Sequence, residues 1–492
     1  MLSFRFKVAW LLIALPLVAC QQGDPAEPLE FSRCWLEGLA TEARCKTVEV
    51  LEDRQDPEGR RIGLRVAVIP ARNRNVEPDP LFLLAGGPGL AATESLPPIA
   101  AMLSEVRRER DLVLVDQRGT GGSNPLECLP DTLDEEEPDA LSEIPDWSPA
   151  SIFATDVFER CLSTLEADLR FYTTPIAMDD LDEVRAALGY ERINIWGGSY
   201  GTRAALVYLR QYPERVRTIV LDGVHPLDNR HPLLCAQNMQ SALDLMLRRC
   251  ADDDDCAKVF PDLDKTLEEL LSSLEEPLTV TVPHPRSGIP QEVVMTRDGF
   301  TMALGHLLYI PRFVSLMPWT ITQAARGDFS PLSAQFLAFS ADLTGYAGKQ
   351  LAVGCSEDVA LISEEDVEQH SRDSVFGEAL TRAFMDACAI WPRAELPEGY
   401  HDPVTSDAPV LILSGALDPV TPPSWGDDVA EGLPNSRHLV APGAGHGVVV
   451  VPCVPGLIAD FLDAGSASNL DFACAEDYPP TDFFLDFARE FQ

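Results

Sequence analysis

Short apolar segments alternate with helical patterns over much of the chain. An alternating, β-branched segment comes first, and each later apolar run stops at a polar or glycine-containing turn. Apolar runs that are bounded in this way and separated by helices are typical of buried parallel strands. The pattern predicts strands at residues 61–71, 80–85, 111–115, 192–196, 218–221, 409–414 and 437–441. It predicts helices between them at residues 97–108, 179–188 and 200–211.

The alternation disappears between residues 225 and 405, where helical patterns and one polar extended piece are found, and then it resumes. This layout predicts the α/β class, with a doubly wound, mostly parallel sheet and a large, mainly helical cap insertion. Residues 126–149, which are rich in acids and proline, are predicted to be an exposed excursion. The predicted parts are a leader (1–19), a tether (20–29), a first core part (30–224), the cap insertion (225–405), a second core part (406–465) and a tail (466–492).

One glycine-rich turn carries a serine between a predicted strand and a predicted helix. Residues 197–201 read Gly-Gly-Ser-Tyr-Gly, which matches the G-x-S-x-G pattern of a nucleophile elbow. The glycines permit a turn that is too tight for Cβ atoms, and the helix N-terminus beside Ser199 favours developing negative charge. A structural serine in a glycine-rich turn is the alternative. The strand before it and the helix after it favour a nucleophile.

A serine hydroxyl needs a base, and the base needs a carboxylate that orients it. In nucleophile-elbow proteins the acid and then the histidine follow the serine along the chain. Asp418 follows the predicted strand at 409–414, and His446 lies in the loop after the strand at 437–441. Both therefore reach the sheet edge at which Ser199 emerges. A turn aspartate and a solvent-facing loop histidine are the alternatives, but the order and the placement predict a Ser199–Asp418–His446 triad.

A second glycine-rich loop follows the strand at 80–85. Residues 86–89 read Gly-Gly-Pro-Gly, and the backbone N–H groups of Gly87 and Tyr200 are the predicted donors to an oxyanion. A plain Gly-Pro turn is the alternative. The loop lacks the glycine spacing and the Lys-Ser/Thr ending of phosphate-binding loops. We therefore expect acyl transfer with no cofactor and no metal ion.

The first twenty residues resemble an export signal. Arg5 and Lys7 precede a 12-residue apolar run at 8–19, which is shorter than the ~20 residues that span a membrane. The run ends in Leu-Val-Ala-Cys, which resembles the bacterial lipobox, so Cys20 is the expected lipidation site. An ordinary signal peptide that contains a cysteine is the alternative. The expected location is outside the cytoplasm, on a membrane that faces the periplasm or the cell surface.

The cysteine content indicates which residues form disulfides, and the net charge indicates which classes of partner are excluded. Eleven cysteines remain after Cys20, and an exported protein would pair most of them. Connectivity does not follow from sequence, but proximity suggests Cys34–Cys45, Cys128–Cys161, Cys250–Cys256, Cys355–Cys388 and Cys453–Cys474, with Cys235 left over. A zinc site is the competitor, but no C-x-x-C pair exists. The formal charge of −40 argues against nucleic acid or an anionic membrane surface as a partner.

Five segments occur in an order that resembles a known family. They are the loop at 86–89, Asp-Gln-Arg-Gly-Thr-Gly-Gly-Ser at 116–123, the elbow at 197–201, Ser-Gly-Ala-Leu-Asp-Pro-Val-Thr-Pro at 414–422 and Gly-Ala-Gly-His-Gly at 443–447. They resemble the prolyl iminopeptidase and tripeptidyl aminopeptidase family of α/β-hydrolase serine peptidases. Segments around Cys355, residues 388–392 and Cys453 resemble its exported, tripeptidyl-aminopeptidase-like branch. The resemblance covers about residues 61–464 and implies an α/β-hydrolase fold. Ala85 departs from it, because relatives usually carry histidine there.

The resemblance implies peptide substrates with a free N-terminus, from which proline or short peptides are released. A buried ammonium group needs facing carboxylates, and we expect them in the cap insertion. Glu357 and Asp358, which closely follow Cys355, are the predicted ligands. An esterase or lipase that uses the same triad and a catalytically silent, peptide-binding lipoprotein are the alternative functions.

Overall fold

The computed structural model describes residues 31–128, 147–284, 287–340 and 345–486. Its strands are β1 (Ser32–Cys34), β2 (Ala43–Leu51), β3 (Arg61–Ile69), β4 (Leu81–Leu84), β5 (Leu112–Val115), β6 (Ile193–Gly198), β7 (Val216–Asp222), β8 (Leu278–Pro283), β9 (Pro290–Met295), β10 (Val410–Gly415) and β11 (Ser436–Ala441). Nine of them form one sheet in the order β1-β2-β3-β5-β4-β6-β7-β10-β11, and β8 and β9 form a separate antiparallel pair. The six strands from β5 to β11 in that order run parallel. The predicted doubly wound, mostly parallel sheet is confirmed.

The helices fall into three groups along the chain. Before β7 they are α1 (Ala92–Ser95), α2 (Pro97–Met102), α3 (Pro149–Ile152), α4 (Thr155–Thr164), α5 (Thr174–Ala187) and α6 (Tyr200–Gln211). Between β7 and β10 they are α7 (Cys235–Asp252), α8 (Asp254–Val259), α9 (Leu263–Ser273), α10 (Arg297–Leu307), α11 (Pro311–Ala325), α12 (Ser330–Ser340), α13 (Ala347–Glu357), α14 (Glu364–Ser371) and α15 (Ala379–Ile390). After β10 they are α16 (Pro423–Ala430), α17 (Val454–Ala464) and α18 (Ala473–Glu476).

Both faces of the sheet are buried, which explains why the central strands are apolar throughout. Successive side chains of a strand point to opposite faces. Leu81 and Leu83 of β4 therefore join a core cluster with α17, whereas Phe82 and Leu84 join a second cluster with α5 and α6. A sheet covered on both faces positions loops only at its edges, so the carboxyl edge of the parallel strands is left for a site.

The helical insertion between β7 and β10 has its own apolar clusters. Helices α7 to α11 share one, and α13 and α15 share another with Phe153 and Phe158, which precede the insertion in the chain. Leu126 and Trp147 are also buried, at 0% and 5% exposure. The prediction of an exposed excursion at 126–149 is therefore wrong at its two described ends, because these side chains complete the cap clusters. The domain boundaries within the chain stay predictions.

Five disulfides tie the described cysteines together. The structure joins Cys34 to Cys45, Cys128 to Cys161, Cys250 to Cys256, Cys355 to Cys388 and Cys453 to Cys474. These are the pairs suggested by proximity in the sequence. Cys235 is buried and unpaired among the cysteines of the described ranges. The expected leader and Cys20 lie outside the described residues, and within them no helix is long and apolar enough to cross a bilayer.

Candidate active site

Ser199 lies in a strained turn between β6 and α6. Its backbone has φ 55° and ψ −126°, a conformation that non-glycine residues rarely adopt and that concentrates at functional sites. Glycine is required on both sides, because a Cβ on Gly197 would meet the Gly201 carbonyl oxygen at 2.3 Å and one on Gly201 would meet the Leu84 carbonyl oxygen at 2.2 Å. The glycines let α6 approach the sheet closely enough to hold the serine at the mouth of the turn.

Asp418 and His446 follow β10 and β11, which are adjacent parallel strands. The Nδ1 atom of His446 lies 2.9 Å from Asp418 Oδ2. The N–H groups of Val420 and Thr421 donate to Asp418 Oδ1 at 2.8 and 2.9 Å, so the carboxylate is fixed before substrate arrives. With Nδ1 donating to Asp418, a neutral His446 offers Nε2 as a proton acceptor.

The charges of this pair stabilise each other. Burial would lower the pKa of His446, but the Asp418 carboxylate outweighs burial and raises that pKa above its ordinary value. Burial would likewise raise the pKa of Asp418, but the contacts with His446 and Thr421 lower it. Asp418 therefore stays ionised while His446 titrates, which is the electrostatic arrangement that a general base requires.

Thr421 also contacts the histidine–aspartate pair, and it was not identified from the sequence. Its hydroxyl donates to Asp418 Oδ2 at 2.7 Å and lies 3.2 Å from His446 Nδ1. It stands three residues after Asp418, so the turn that presents the buried aspartate to His446 also places the Thr421 hydroxyl against the carboxylate. The motif at 414–422 contained this signal, but spacing alone does not show which way a hydroxyl points.

The loop after β4 lies against the serine. A Cβ on Gly86 would meet Ser199 Cβ at 3.0 Å, and Gly87 has φ 107°, which turns the loop around the elbow. Within the described chain, neither the Gly87 N–H nor the Tyr200 N–H donates to a protein acceptor. Tyr200 begins α6, so its N–H also carries the partial positive charge of a helix N-terminus. Two free backbone donors therefore flank Ser199.

A cavity of about 840 Å³ opens above the elbow, between the sheet edge and the insertion. Ser199 and His446 both line it, and its walls are largely apolar, with Trp147, Phe384 and Trp425 among them. Among the described atoms, the Ser199 hydroxyl makes no hydrogen bond. A hydrogen bond between a nucleophile and its base is often unformed in a ligand-free site.

Tyr309 links the insertion to the loop that carries His446. Its carbonyl oxygen accepts the backbone N–H of His446 at 3.2 Å, and its ring meets the His446 ring edge-to-face with centroids 5.4 Å apart. Tyr309 lies between α10 and α11 of the insertion, far from His446 in sequence, so no local pattern could have indicated this contact.

Glu357 and Asp358 do not line the cavity, and the predicted ammonium-binding role is corrected here. Both are buried, at 0% and 2% exposure. The Thr174 N–H and hydroxyl donate to Glu357 at 2.6 and 2.8 Å, and the Tyr400 hydroxyl also donates to it. Arg203 of α6 donates to both oxygens of Asp358, at 2.8 and 3.0 Å. These carboxylates are already used by internal partners, so they have no free face for a substrate.

The geometry defines a class: the protein is a serine hydrolase, built on a nucleophile elbow with a histidine–aspartate pair at the same sheet edge. Residues 79–451 match the α/β hydrolase fold family, and the chain belongs to that family. This match confirms the fold expected from the sequence resemblance.

Three curated relatives resemble the chain over most of its length. Serine protease Hip1 of Mycobacterium tuberculosis is 26% identical and covers 96% of this chain and 99% of its own. Tripeptidyl aminopeptidase of Streptomyces coelicolor is 25% identical and covers 89% of this chain and 84% of its own. Carboxylesterase B of M. tuberculosis is 26% identical and covers 88% and 86%. The resemblance to aminopeptidases stated from the motifs is confirmed, and an esterase is similar at the same level.

Proposed function

We propose that the protein is an exported serine aminopeptidase that uses Ser199, His446 and Asp418 as its catalytic triad. The observation that carries this proposal is the 2.9 Å contact of His446 with Asp418, together with a cavity that His446 and Ser199 both line. Peptide cleavage is favoured because two of the three relatives carry peptidase names.

In the proposed reaction, His446 Nε2 takes the hydroxyl proton of Ser199 as Oγ attacks the scissile carbonyl carbon. The N–H groups of Gly87 and Tyr200 donate to the oxyanion that forms. His446 then gives the proton to the leaving amine, and an acyl group remains on Ser199. Water then attacks the acyl carbon while His446 takes its proton. The bond from the acyl carbon to Oγ breaks, His446 returns the proton to Oγ, and the carboxylic acid product leaves.

Since Glu357 and Asp358 are buried, the ammonium group needs other carboxylates. Glu94 and Glu127 line the cavity, and Glu94 belongs to α1, which directly follows the oxyanion loop. Tyr346 donates its hydroxyl to Glu94 Oε1 at 3.1 Å, which orients the carboxylate. Burial and the nearby Asp116 raise the pKa of Glu94, a cost that a bound ammonium would offset. We therefore assign amino-terminus recognition to the Glu94 side of the cavity.

A panel of chromogenic amides tests this function. Amino-acyl, dipeptidyl and tripeptidyl amides are compared with a free and an acetylated N-terminus. Glu94→Gln should raise KM for free-amine substrates by ~10–100-fold, as expected for the loss of one charged contact of ~1.5–3 kcal/mol. Glu58→Gln, an exposed glutamate in the β2–β3 turn, is the matched control and should behave as wild type. Equal hydrolysis of free and acetylated peptides by the wild type would contradict the aminopeptidase proposal.

An esterase is the second candidate, because the walls of the cavity are largely apolar and one relative is named carboxylesterase B. Hydrolysis of acyl esters without hydrolysis of any amide in the panel would favour it. The catalytically silent alternative predicts that a fluorophosphonate probe leaves Ser199 unlabelled.

We further propose export and anchoring through Cys20. Five disulfides support an oxidising compartment. Cys20→Ser should move the protein from the membrane fraction to the soluble fraction or block its processing, because lipid chains attach to that thiol. Unchanged fractionation would contradict the anchor.

A further inference from the structure

Asp222 is a fully buried carboxylate that connects the nucleophile to the histidine loop. It is the last residue of β7, and its backbone carbonyl accepts the Ser199 N–H at 2.9 Å. Its side chain points to the other half of the site. The Val448 N–H donates to Asp222 Oδ1 at 2.6 Å, and the Val449 N–H donates to Oδ2 at 2.9 Å. One residue thus holds the elbow with its backbone and the histidine loop with its side chain.

The two valines follow His446 by two and three residues. On the other side of the histidine, Leu417 donates its N–H to the Ala444 carbonyl at 3.0 Å, which ties the loop to the Asp418 turn. Gly447, between the histidine and the valines, has φ 95° and lets the chain turn back toward β7. Without the Asp222 carboxylate, the residues that follow His446 would lose the hydrogen bonds that the Val448 and Val449 N–H groups donate to it.

The carboxylate also carries a charge close to the catalytic pair. Burial raises the pKa of Asp222 to about 6, although the two valine N–H groups lower it. The titratable groups that face it are His446, whose protonated form Asp222 favours, and Asp418, which repels it. No hydrogen bond joins Asp222 to His446 within the described structure, so its influence on the ring is electrostatic and geometric.

We propose that Asp222 is a positioning residue of the hydrolase, which fixes the His446 loop so that the imidazole aims at Ser199. This inference rests on the proposed triad and deepens it. The Val448 and Val449 N–H groups each meet a different oxygen of the carboxylate. Asparagine would replace one of these oxygens with an NH₂ group, which is a donor and would oppose an N–H. Misplacement of a catalytic group by about 1 Å costs up to ~100-fold in rate, so a modest shift of the loop would be measurable.

The test compares Asp222→Asn and Asp222→Glu with Asp79→Asn. Asp79 is a matched control, since it is also buried and accepts hydrogen bonds from Arg110 and Asn194, but it precedes β4 and lies at the opposite edge of the sheet. We expect Asp222→Asn to fold, to lower kcat by ~10–100-fold and to leave KM within about threefold of wild type. Labelling of Ser199 by a fluorophosphonate should slow in parallel, and Asp79→Asn should keep the wild-type kcat.

The pH profile separates positioning from general destabilisation. His446 acts as a base only when neutral, so kcat/KM falls as pH decreases through its pKa. Asp222→Asn removes a negative charge that raises the pKa of His446, so the acid limb of the kcat/KM profile should move to lower pH. Asp222→Glu keeps the charge, so it should lower kcat without moving that limb. A wild-type kcat in Asp222→Asn, an equal loss in Asp79→Asn, or failure of Asp222→Asn to fold would overturn the proposal. A failed triad would instead appear as residual activity in Ser199→Ala.

Discussion

The substitution Asp358→Asn distinguishes a structural ion pair from a substrate ligand. Arg203 and Asp358 have side-chain exposures of 0% and 3%, and the guanidinium donates two hydrogen bonds to the carboxylate. Arg203 also donates to the carbonyls of Pro226 and Asn229, so the pair supports the chain that leaves β7. Removing one partner of a buried pair costs about 3–5 kcal/mol when the remaining charge is left uncompensated. Arg203 would still have Glu357, whose Oε2 lies 3.9 Å from the guanidinium. Asparagine keeps one acceptor, so we expect the lower end, about 3 kcal/mol.

Urea unfolding under non-reducing conditions, followed by tryptophan fluorescence, measures this cost. The midpoint should fall in Asp358→Asn at an unchanged slope. Asp386→Asn, an exposed acid on α15, should leave the midpoint within about 0.5 kcal/mol of wild type. Kinetics complete the test, since any change in KM should be equal for free and acetylated substrates. If Asp358→Asn had wild-type stability and a KM increase confined to free-amine substrates, the structural role would be refuted and Asp358 would again be a candidate substrate ligand.

Three further predictions concern the nucleophile, the buried acid and the thiols. Ser199→Ala should lower turnover by several orders of magnitude and leave the fold intact, as measured by amide hydrolysis and circular dichroism. Retention of a tenth of the wild-type activity would exclude Ser199 as the nucleophile. The pKa of Asp222 is about 6 in the folded protein, and its ordinary value is 3.8. Between these two pH values the folded protein holds a proton on Asp222 that the unfolded chain has already released. Wild-type stability relative to Asp222→Asn should therefore fall by about 2 kcal/mol from about pH 4.5 to 7.5, and a constant difference would contradict this pKa. Thiol counting in denaturant without reductant should find one free cysteine, Cys235, among the cysteines of the described ranges, with Cys20 blocked by its expected lipid. Several free thiols would contradict the disulfides.

The turns at the carboxyl edge of the sheet could be predicted from the sequence, because each of them has a short local pattern. The elbow at Ser199, the loop at Gly87 and the turn at Asp418 each need glycine or a tight turn directly after an apolar strand, and such requirements are visible in a few residues. Parallel strands then bring these turns to one edge, so a one-dimensional pattern becomes a three-dimensional site.

Contacts between distant segments were beyond the same reasoning. Glu357 follows a cysteine in a segment that resembles known peptidases, yet its side chain points to Thr174, 183 residues away. Whether a carboxylate faces a cavity or a buried arginine depends on the rotation of its helix, and α13 is buried along most of its length, so it offers no polar stripe that would fix that rotation. The contribution of Tyr309 is even less visible, because its carbonyl holds the His446 loop.

The unpaired Cys235 has a consequence for how the disulfides survive. Burial, with a smaller contribution from Asp358, raises the pKa of its thiol to about 12. At pH 7 the reactive thiolate would then be about 10⁻⁵ of the population, whereas an ordinary exposed cysteine is a few per cent ionised. Disulfide exchange needs the thiolate, so in the folded protein Cys235, the unpaired cysteine of the described ranges, is a poor nucleophile toward the five bridges. In a partly folded chain, where Cys235 is exposed to solvent, its thiol regains an ordinary pKa, so bridge rearrangement is expected there rather than in the folded protein.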